Sequence, residues 1–489
     1  MDISQKKNSS IIYENQVYSH NRFKNDVISY SMVLLDHGIV KGDRVILCCN
    51  NNYTFLVSLF SLMHINCSIV LLDLNTNHAD LKMINNKTKA KWILTEAEPL
   101  AFDGPKYISL ATSFNSIGTI QISLDMEIEL HEWYHRPDAI ILFSSGSTGI
   151  PKGMVKSGAS LFNNMNSTAI GMGYKSNEVI LPVVPFFNIW GLNMIIQWWV
   201  VGCTIIICNY QSIRTLPAII NNYKISVVEA TIATTYLIVQ IAERNRENVH
   251  LISNNIRMWF TSGAPVPQVL KNKFEKVFKI PLLDYYGSSE AGNLTSTNLN
   301  NHNGTGKVLE GLSVKVFDES FNESKPGEIG HIYAKGNGLM EGYLDNNGNV
   351  QLDLKNSWLD MKDFGYFDID GNLFVIGRRD GAIHRMGATF YACHMERIVE
   401  ELGILSKVVS FTEDRKGSYL ILFIQYSHEK SSHIRKEIVD ALPTYMYPDK
   451  LICIDEFPFL PNGKIDNKQL EEYALNNLTV SICIWQAKN

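Results

Sequence analysis

The sequence predicts an α/β protein with a large N-terminal domain of doubly wound sheets, a β-rich subdomain and a small α+β domain at the C-terminal end. Three observations carry that expectation. Short apolar strands alternate with helix-length apolar patterns through the first part of the chain, which is the texture of βαβ units on mostly parallel sheets. From about residue 305 the pattern turns to short strands punctuated by Gly, Asp-Gly and Asn-Gly. At 489 residues the chain exceeds what one hydrophobic core usually serves.

In order, "DRVILCCN" (43–50) reads as a strand, "NYTFLVSLFSLMHI" as an apolar-faced helix and "CSIVLLD" as the next strand. "KWILTEA" and "YISLAT" continue the series, and the same texture returns at "SVVEATIATTYLIVQIAER" and "IRMWFTSGAP". "NIWGLNMIIQWWVVGCTIIIC" (188–208) is the one membrane-like stretch. Asn193, Gln197 and the break at Gly202 argue against a span, which needs about 20 predominantly apolar residues. It reads as a buried helix from Leu192 to Val200 and a core strand from Cys203 to Cys208. The hairpin-rich part follows with "LSVKVFD", "GEIGHIYAKG" and "GNLFVIGRRDGAIHR". After Arg378 come a helix candidate, "ACHMERIVEEL", and the strands "KVVSFTED" and "YLILFIQY". The pattern divides the chain near residue 380, into 1–379 and 380–489.

A formal net charge of -5 gives no electrostatic reason to expect nucleic acid or an anionic membrane as partner. The eight cysteines lie mostly in apolar runs, with no CxxC pair of metal-ligand spacing. They read as buried reduced thiols of a cytoplasmic protein. The first residues, "MDISQKKNSSIIYENQVYS", contain no apolar stretch of a signal peptide.

"FSSGSTGIPKG" (143–153) is the first stretch that carries chemistry. A Walker A loop requires Gly-x4-Gly-Lys-Ser/Thr, with the lysine opening a helix. Here Lys152 follows Pro151 and precedes Gly153, and a proline with fixed φ makes a turn at that point. A loop so rich in serine, threonine and glycine, entered from an apolar strand, still suits an anion wrapped by hydroxyls and backbone N–H groups.

"SSGSTGIPKG" resembles the signature loop of the adenylate-forming superfamily, which includes acyl- and aryl-CoA synthetases, peptide-synthetase adenylation domains and luciferases. Further motifs follow in family order. "SGAP" (262–265) resembles the adenine-site turn, and "DYYGSSEAG" (284–292) the Tyr-Gly-x-Thr-Glu motif, with Ser289 for threonine. "GLMEGYL" (338–344), "GNLFVIGRRDGAIHRMG" and "LPNGKIDNKQL" (460–470) resemble the Gly-Tyr motif, the segment joining the two domains and the C-terminal lysine motif.

The resemblance implies attack of a substrate carboxylate on the α-phosphate of ATP, followed by displacement of AMP by a thiol. ATP and Mg²⁺ are the implied small molecules, with Glu290 as the metal carboxylate. Lys464, Glu290 and Lys152 are the catalytic candidates, Lys464 reaching the reacting carboxylate and the α-phosphate. The implied nucleotide site comprises Ser145, Gly146, Ser147, Thr148, Gly149 and Lys152 in the loop. It continues with Gly263, Ala264 and Pro265, then Tyr286, Gly287, Ser288 and Ser289, then Asp363 and Arg378. Tyr286 would stack on adenine and Asp363 would accept from the ribose hydroxyls. Asp380 fits the hinge about which the family rotates its small domain between the two steps, so the resemblance implies a small mobile α+β C-terminal domain.

The chain departs from the family at three places. The usual Thr-Gly-Asp reads Met361-Lys362-Asp363, a common lysine is His384, and the glutamate two residues before Glu396 is His394. A catalytically reduced nucleotide-binding homologue is the alternative that these departures motivate.

Phe187, Asn188, Trp190 and Gly191 fall where the family's acyl pocket begins. Amino-acid-activating members place an aspartate at the position of Asn188, and an amide cannot hold an α-ammonium ion by charge. An aryl acid is therefore favoured, with a short or medium aliphatic acid next. Only a short tail follows Leu470, without room for a carrier domain, so the thiol is expected from a separate acyl carrier protein or from CoA.

Overall fold

The computed structural model describes residues 9–98, 104–119, 126–144, 152–351, 357–379, 382–386, 388–413, 417–426, 431–460 and 464–477. The alternation read from the sequence folds into two large sheets. One has eight strands, and Arg44–Cys48, Ser68–Leu72, Trp92–Thr95, Lys106–Ser109 and Ile140–Ser144 form its parallel part. The other has nine strands, with Val179–Val183, Thr204–Ile207, Val227–Thr231, Met258–Ser262 and Leu282–Ser288 running parallel.

Two of the expected helices begin at a side-chain cap. Asn52 accepts from the Phe55 N–H at 2.8 Å and opens the helix Tyr53–His64. Thr231 ends its strand and caps the helix Ile232–Arg244 through the Thr234 N–H at 3.2 Å. A cap of this kind stabilises a helix by about 1 kcal/mol.

The membrane-like stretch is core. Its helix runs Ile189–Val201 and its strand Thr204–Ile207. Trp198 and Trp199 are fully buried, and Trp199 stacks on Phe60 with ring centroids 4.4 Å apart. Among the described residues no helix is long and apolar enough to cross a membrane. The described cysteines are free, and all but the half-buried Cys453 are buried. Burial pushes the thiols of Cys48, Cys67, Cys203 and Cys208 up to about 12.

The hairpin-rich region gives a four-stranded antiparallel sheet, Leu312–Phe317, Gly330–Gly336, Leu359–Phe367 and Leu373–Arg378. One part of that region goes elsewhere. Strand Gly342–Leu344 crosses to the eight-stranded sheet and pairs with Lys152–Lys156, Gly342 opposite Val155. This crossing carries the Gly-Tyr motif beside the strand Lys152–Lys156, which pairs antiparallel with Ile140–Ser144.

The smaller C-terminal domain has its own core around Phe390, Met395, Leu420, Leu422 and Ile438. Its three-stranded sheet, Ser406–Glu413, Gly417–Gln425 and Lys450–Ile454, is covered by the helices Ala392–Glu401 and Ser431–Ala441. Among the contacts that tie it to the large domain are a ring pair and a hydrogen bond. The rings of Phe459 and Tyr236 lie 6.5 Å apart, and the Glu400 carboxylate accepts from the Gln268 N–H at 2.5 Å.

Candidate active site

A cleft of about 1780 Å³ runs between the two sheets and under the small domain. The strand Leu282–Ser288 brings the nucleotide motif to its edge. Gly287 is required there, because a Cβ would sit 2.1 Å from the Gly292 carbonyl oxygen across the turn. Tyr286, one residue earlier, is buried among Ala291, Leu294, Ile332 and Met361 while one face lines the cleft.

The Tyr286 hydroxyl donates to Asp363 Oδ2 at 2.6 Å. Asp363 and Arg378 are cross-strand neighbours in the four-stranded sheet, which sets the Arg378 guanidinium 3.5 Å from Asp363 Oδ1. Burial raises the Asp363 carboxyl above its ordinary range, against the pull of the Tyr286 hydroxyl, Arg378 and Lys464. Arg378 also donates to the Met361 carbonyl at 3.0 Å. Met361 itself is buried in the apolar cluster, so the usual polar threonine is replaced here by packing.

Glu290 faces the cleft and its Oε1 accepts from the Tyr343 hydroxyl at 3.1 Å. The Lys152 ammonium lies over the Tyr343 ring, 5.9 Å from its centroid. Lys464 reaches into the same cleft from the small domain and keeps contact with solvent there. Its ammonium is held below the usual range, first by the protein packed round it and then by Arg378, while Asp363 and Glu290 act in the opposite sense. Gly263, Ala264, Pro265, Ser288 and Ser289 line the cleft as well.

Ser145, Gly146, Ser147, Thr148, Gly149 and the hinge candidate Asp380 lie outside the described residues. Of the departures, His384 is exposed on a hairpin and pairs with the Thr389 hydroxyl at 2.9 Å. His394 packs against Phe364 of the large domain, ring centroids 5.2 Å apart.

At the acyl end, Phe187 and Asn188 line the cleft, but Asn188 has a second task. Its Oδ1 accepts from the Gly191 N–H at 2.8 Å and caps the helix Ile189–Val201. Gly191 stands behind the lining, where a Cβ would lie 2.1 Å from the Pro185 carbonyl oxygen. Trp190 also stands behind it, its indole N–H bonded to Glu229 at 2.7 Å.

Of the buried charges, Lys156 and Glu229 flank the cleft and had no place in the motif reading. Lys156 is 1% exposed, and its ammonium donates to the carbonyls of Gly338 at 2.8 Å and Glu290 at 3.4 Å. Burial pushes it down to about 7, while Glu290 and Glu341 act in the opposite sense. Glu229 lies in the apolar strand Val227–Thr231. Each is a lone charge in an apolar run, "GMVKSG" and "VVEAT", and that incongruity is the only sign the sequence carries.

A family model described as AMP-binding enzyme matches residues 4–344. The 2-succinylbenzoate–CoA ligases of Bacillus licheniformis and Bacillus subtilis are each 24% identical to this chain. The first alignment covers 89% of this chain and 91% of its relative, the second 95% and 94%. ATP-bound MatB from Rhodopseudomonas palustris superposes with a TM-score of 0.80 at 18% identity, over 97% of this chain and 96% of that one. The o-succinylbenzoate CoA synthetase of Bacillus subtilis, in complex with the acyl-adenylate OSB-AMP, gives 0.77 at 20% identity, over 94% and 95%. These structures share the two-domain fold. A family match that runs through most of the chain cannot be the chance likeness of one loop: the protein belongs to the AMP-binding enzymes.

Proposed function

We propose that the protein is an AMP-forming acid–thiol ligase that activates an aryl acid with ATP and passes the acyl group to a thiol, coenzyme A foremost. One observation carries this reading. Lys464 of the small domain stands in one cleft with Asp363, Arg378 and Glu290 of the large domain, close enough for each charge to act on it.

In the first step a carboxylate oxygen attacks the α-phosphorus of ATP. The bond from that phosphorus to the oxygen bridging to the β-phosphate breaks, and pyrophosphate leaves. In the second step the thiol gives its proton to solvent, its sulfur attacks the acyl carbon, and the bond from that carbon to the phosphate oxygen breaks as AMP leaves. Lys464 is suited to hold a positive charge at the oxygens that gain charge in the first step. Tyr286 offers a flat face to the base, and Asp363 exchanges its bonds to Tyr286 and Arg378 for the ribose hydroxyls.

The residues present fit Mg²⁺. It uses few protein oxygens and takes the rest from phosphate and water, and Glu290 is a single carboxylate steadied by Tyr343. When bound, the ion would neutralise charge on the phosphates. Lys152 and the serine-rich loop before it serve the departing phosphates. The division at residue 380, with Asp380 as the hinge between the two steps, belongs to the same reading.

The test is acid-stimulated ATP–pyrophosphate exchange across benzoates, fatty acids and amino acids. Thioester formation is then measured with CoA and with a phosphopantetheinylated carrier protein. Benzoates are expected to stimulate exchange and CoA to accept the acyl group. Nucleotide binding without exchange on any acid would leave a binding protein, and amino acids as the sole hits would overturn the reading of Asn188.

A further inference from the structure

Behind the acyl end of the cleft the structure holds a closed network of side chains. Glu229 is 2% exposed. Its Oε1 accepts from the Tyr174 hydroxyl at 2.7 Å, and its Oε2 accepts from the Trp190 indole N–H at 2.7 Å and the Tyr285 hydroxyl at 3.0 Å. Trp190 meets Tyr285 edge to face, with centroids 5.8 Å apart and planes at 89°. Its Cζ3 lies 3.7 Å from where a Cβ on Gly263 would be, so the indole stands directly behind the cleft wall at Gly263.

Two properties of the pocket follow. The first is depth. Phe187, Asn188, Gly263 and Tyr285 line the cleft, while Trp190, Glu229 and Tyr174 lie behind them, with Tyr174 stacked on Phe260 at 6.1 Å. The acyl group therefore meets a packed wall at the indole.

The second property is charge. Among the described residues Glu229 joins no ion pair; burial raises its carboxyl above the ordinary range, and its three neutral donors, the Tyr174 hydroxyl, the Trp190 indole N–H and the Tyr285 hydroxyl, act in the opposite sense by favouring the carboxylate. Around a buried charge the field is weakly screened, and it emerges where the packed wall meets the cleft.

We infer that the network of Glu229, Trp190 and Tyr285 makes the acyl pocket short and negative at its far end. The acid accepted is then compact and bears a neutral or cationic group there, not a second carboxylate. This rests on the ligase reading. It also separates the chain from its Bacillus relatives, since 2-succinylbenzoate is a dicarboxylic acid.

The experiment compares acids of one shape and different charge in the exchange assay: 3-(aminomethyl)benzoate, 3-methylbenzoate and isophthalate. Decanoate and 2-succinylbenzoate probe length and a second carboxylate. For the wild type, kcat/KM is expected to fall by at least about tenfold from the cationic or neutral acid to isophthalate, a difference well within the reach of one poorly screened charge. Glu229→Gln keeps the shape of the side chain and is expected to shrink that spread to within about threefold. Trp190→Ala is expected to admit decanoate.

Isophthalate or 2-succinylbenzoate as the best wild-type substrate would overturn the inference, as would an undiminished spread in a folded Glu229→Gln variant. If that variant does not fold, the wild-type series decides alone. If no acid of any class stimulates exchange, the ligase reading falls and takes this inference with it. Stimulation in the wrong order sinks the inference only.

Discussion

Behind the nucleotide end of the cleft lies a buried ammonium, Lys156, and behind the acyl end a buried carboxylate, Glu229. They are held differently. Lys156 grips two backbone carbonyls and so ties the strand Lys152–Lys156 to Glu290 and to the turn before Gly342. Glu229 is held by three aromatic side chains within or behind the pocket wall. The nucleotide end is thus steadied through backbone groups, which any sequence supplies, and leaves its functional side chains facing the cleft. The acyl end is shaped by the side chains themselves, and exchanging one of them alters the pocket directly.

The largest expected effect tests whether the two ends act in separate steps. Lys464→Ala should lower acid-stimulated exchange by about 10²–10³-fold, the usual cost of removing one positioned group from a charged transition state. Transfer from a preformed adenylate should stay within a few-fold of wild type. Equal loss of both reactions would show that Lys464 holds the cleft together and does not serve the first step.

Asp284 lies at the seam between the ends, on the strand that carries Tyr285 and Tyr286. Burial pushes its carboxyl up to about 6, although Lys271 lies 3.4 Å away. A group whose folded pKa is raised stabilises the fold at low pH, and that contribution is lost as pH rises through about 6. Asp284→Asn should remove this dependence. Denaturant titrations at pH 4 and pH 7 should show the variant gaining on wild type by roughly 2–3 kcal/mol over the interval. A difference that is flat with pH would contradict the assignment.

The smallest effect concerns Asn188. Asn188→Ala removes the cap on Gly191 N–H and should cost about 1 kcal/mol, read as a lower urea midpoint, whereas Asn188→Asp should retain it. An unchanged midpoint in the alanine variant would leave Asn188 with a role toward substrate only.

The same contrast decided what could be read in advance. The nucleotide end is written in short motifs, and Asp363 and Arg378, named from two of them, are cross-strand partners in the fold. Local pattern also served the helix Ile189–Val201. The acyl end is written in contacts between residues far apart in sequence, and no spacing rule reports them. Trp190 meets Glu229 across 39 positions, and Tyr285 meets it across 56. Asn188 shows how one residue type serves two readings, since an asparagine before a helix is a cap as readily as a substrate contact. The strand Gly342–Leu344 escaped for a related reason: the partner of a strand is a non-local choice.

The bond between Glu400 and Gln268 has a practical side. The helix Gln268–Phe278 begins after Pro267, whose side chain cannot cap it, and its first N–H is satisfied by a carboxylate from the small domain. If the small domain moves about Asp380 as proposed, that amide returns to solvent each time it does. Its hydrogen–deuterium exchange would then be a clock built into the large domain, counting the time that the small domain spends in place, and slow exchange at Gln268 whatever the substrate would speak against that movement.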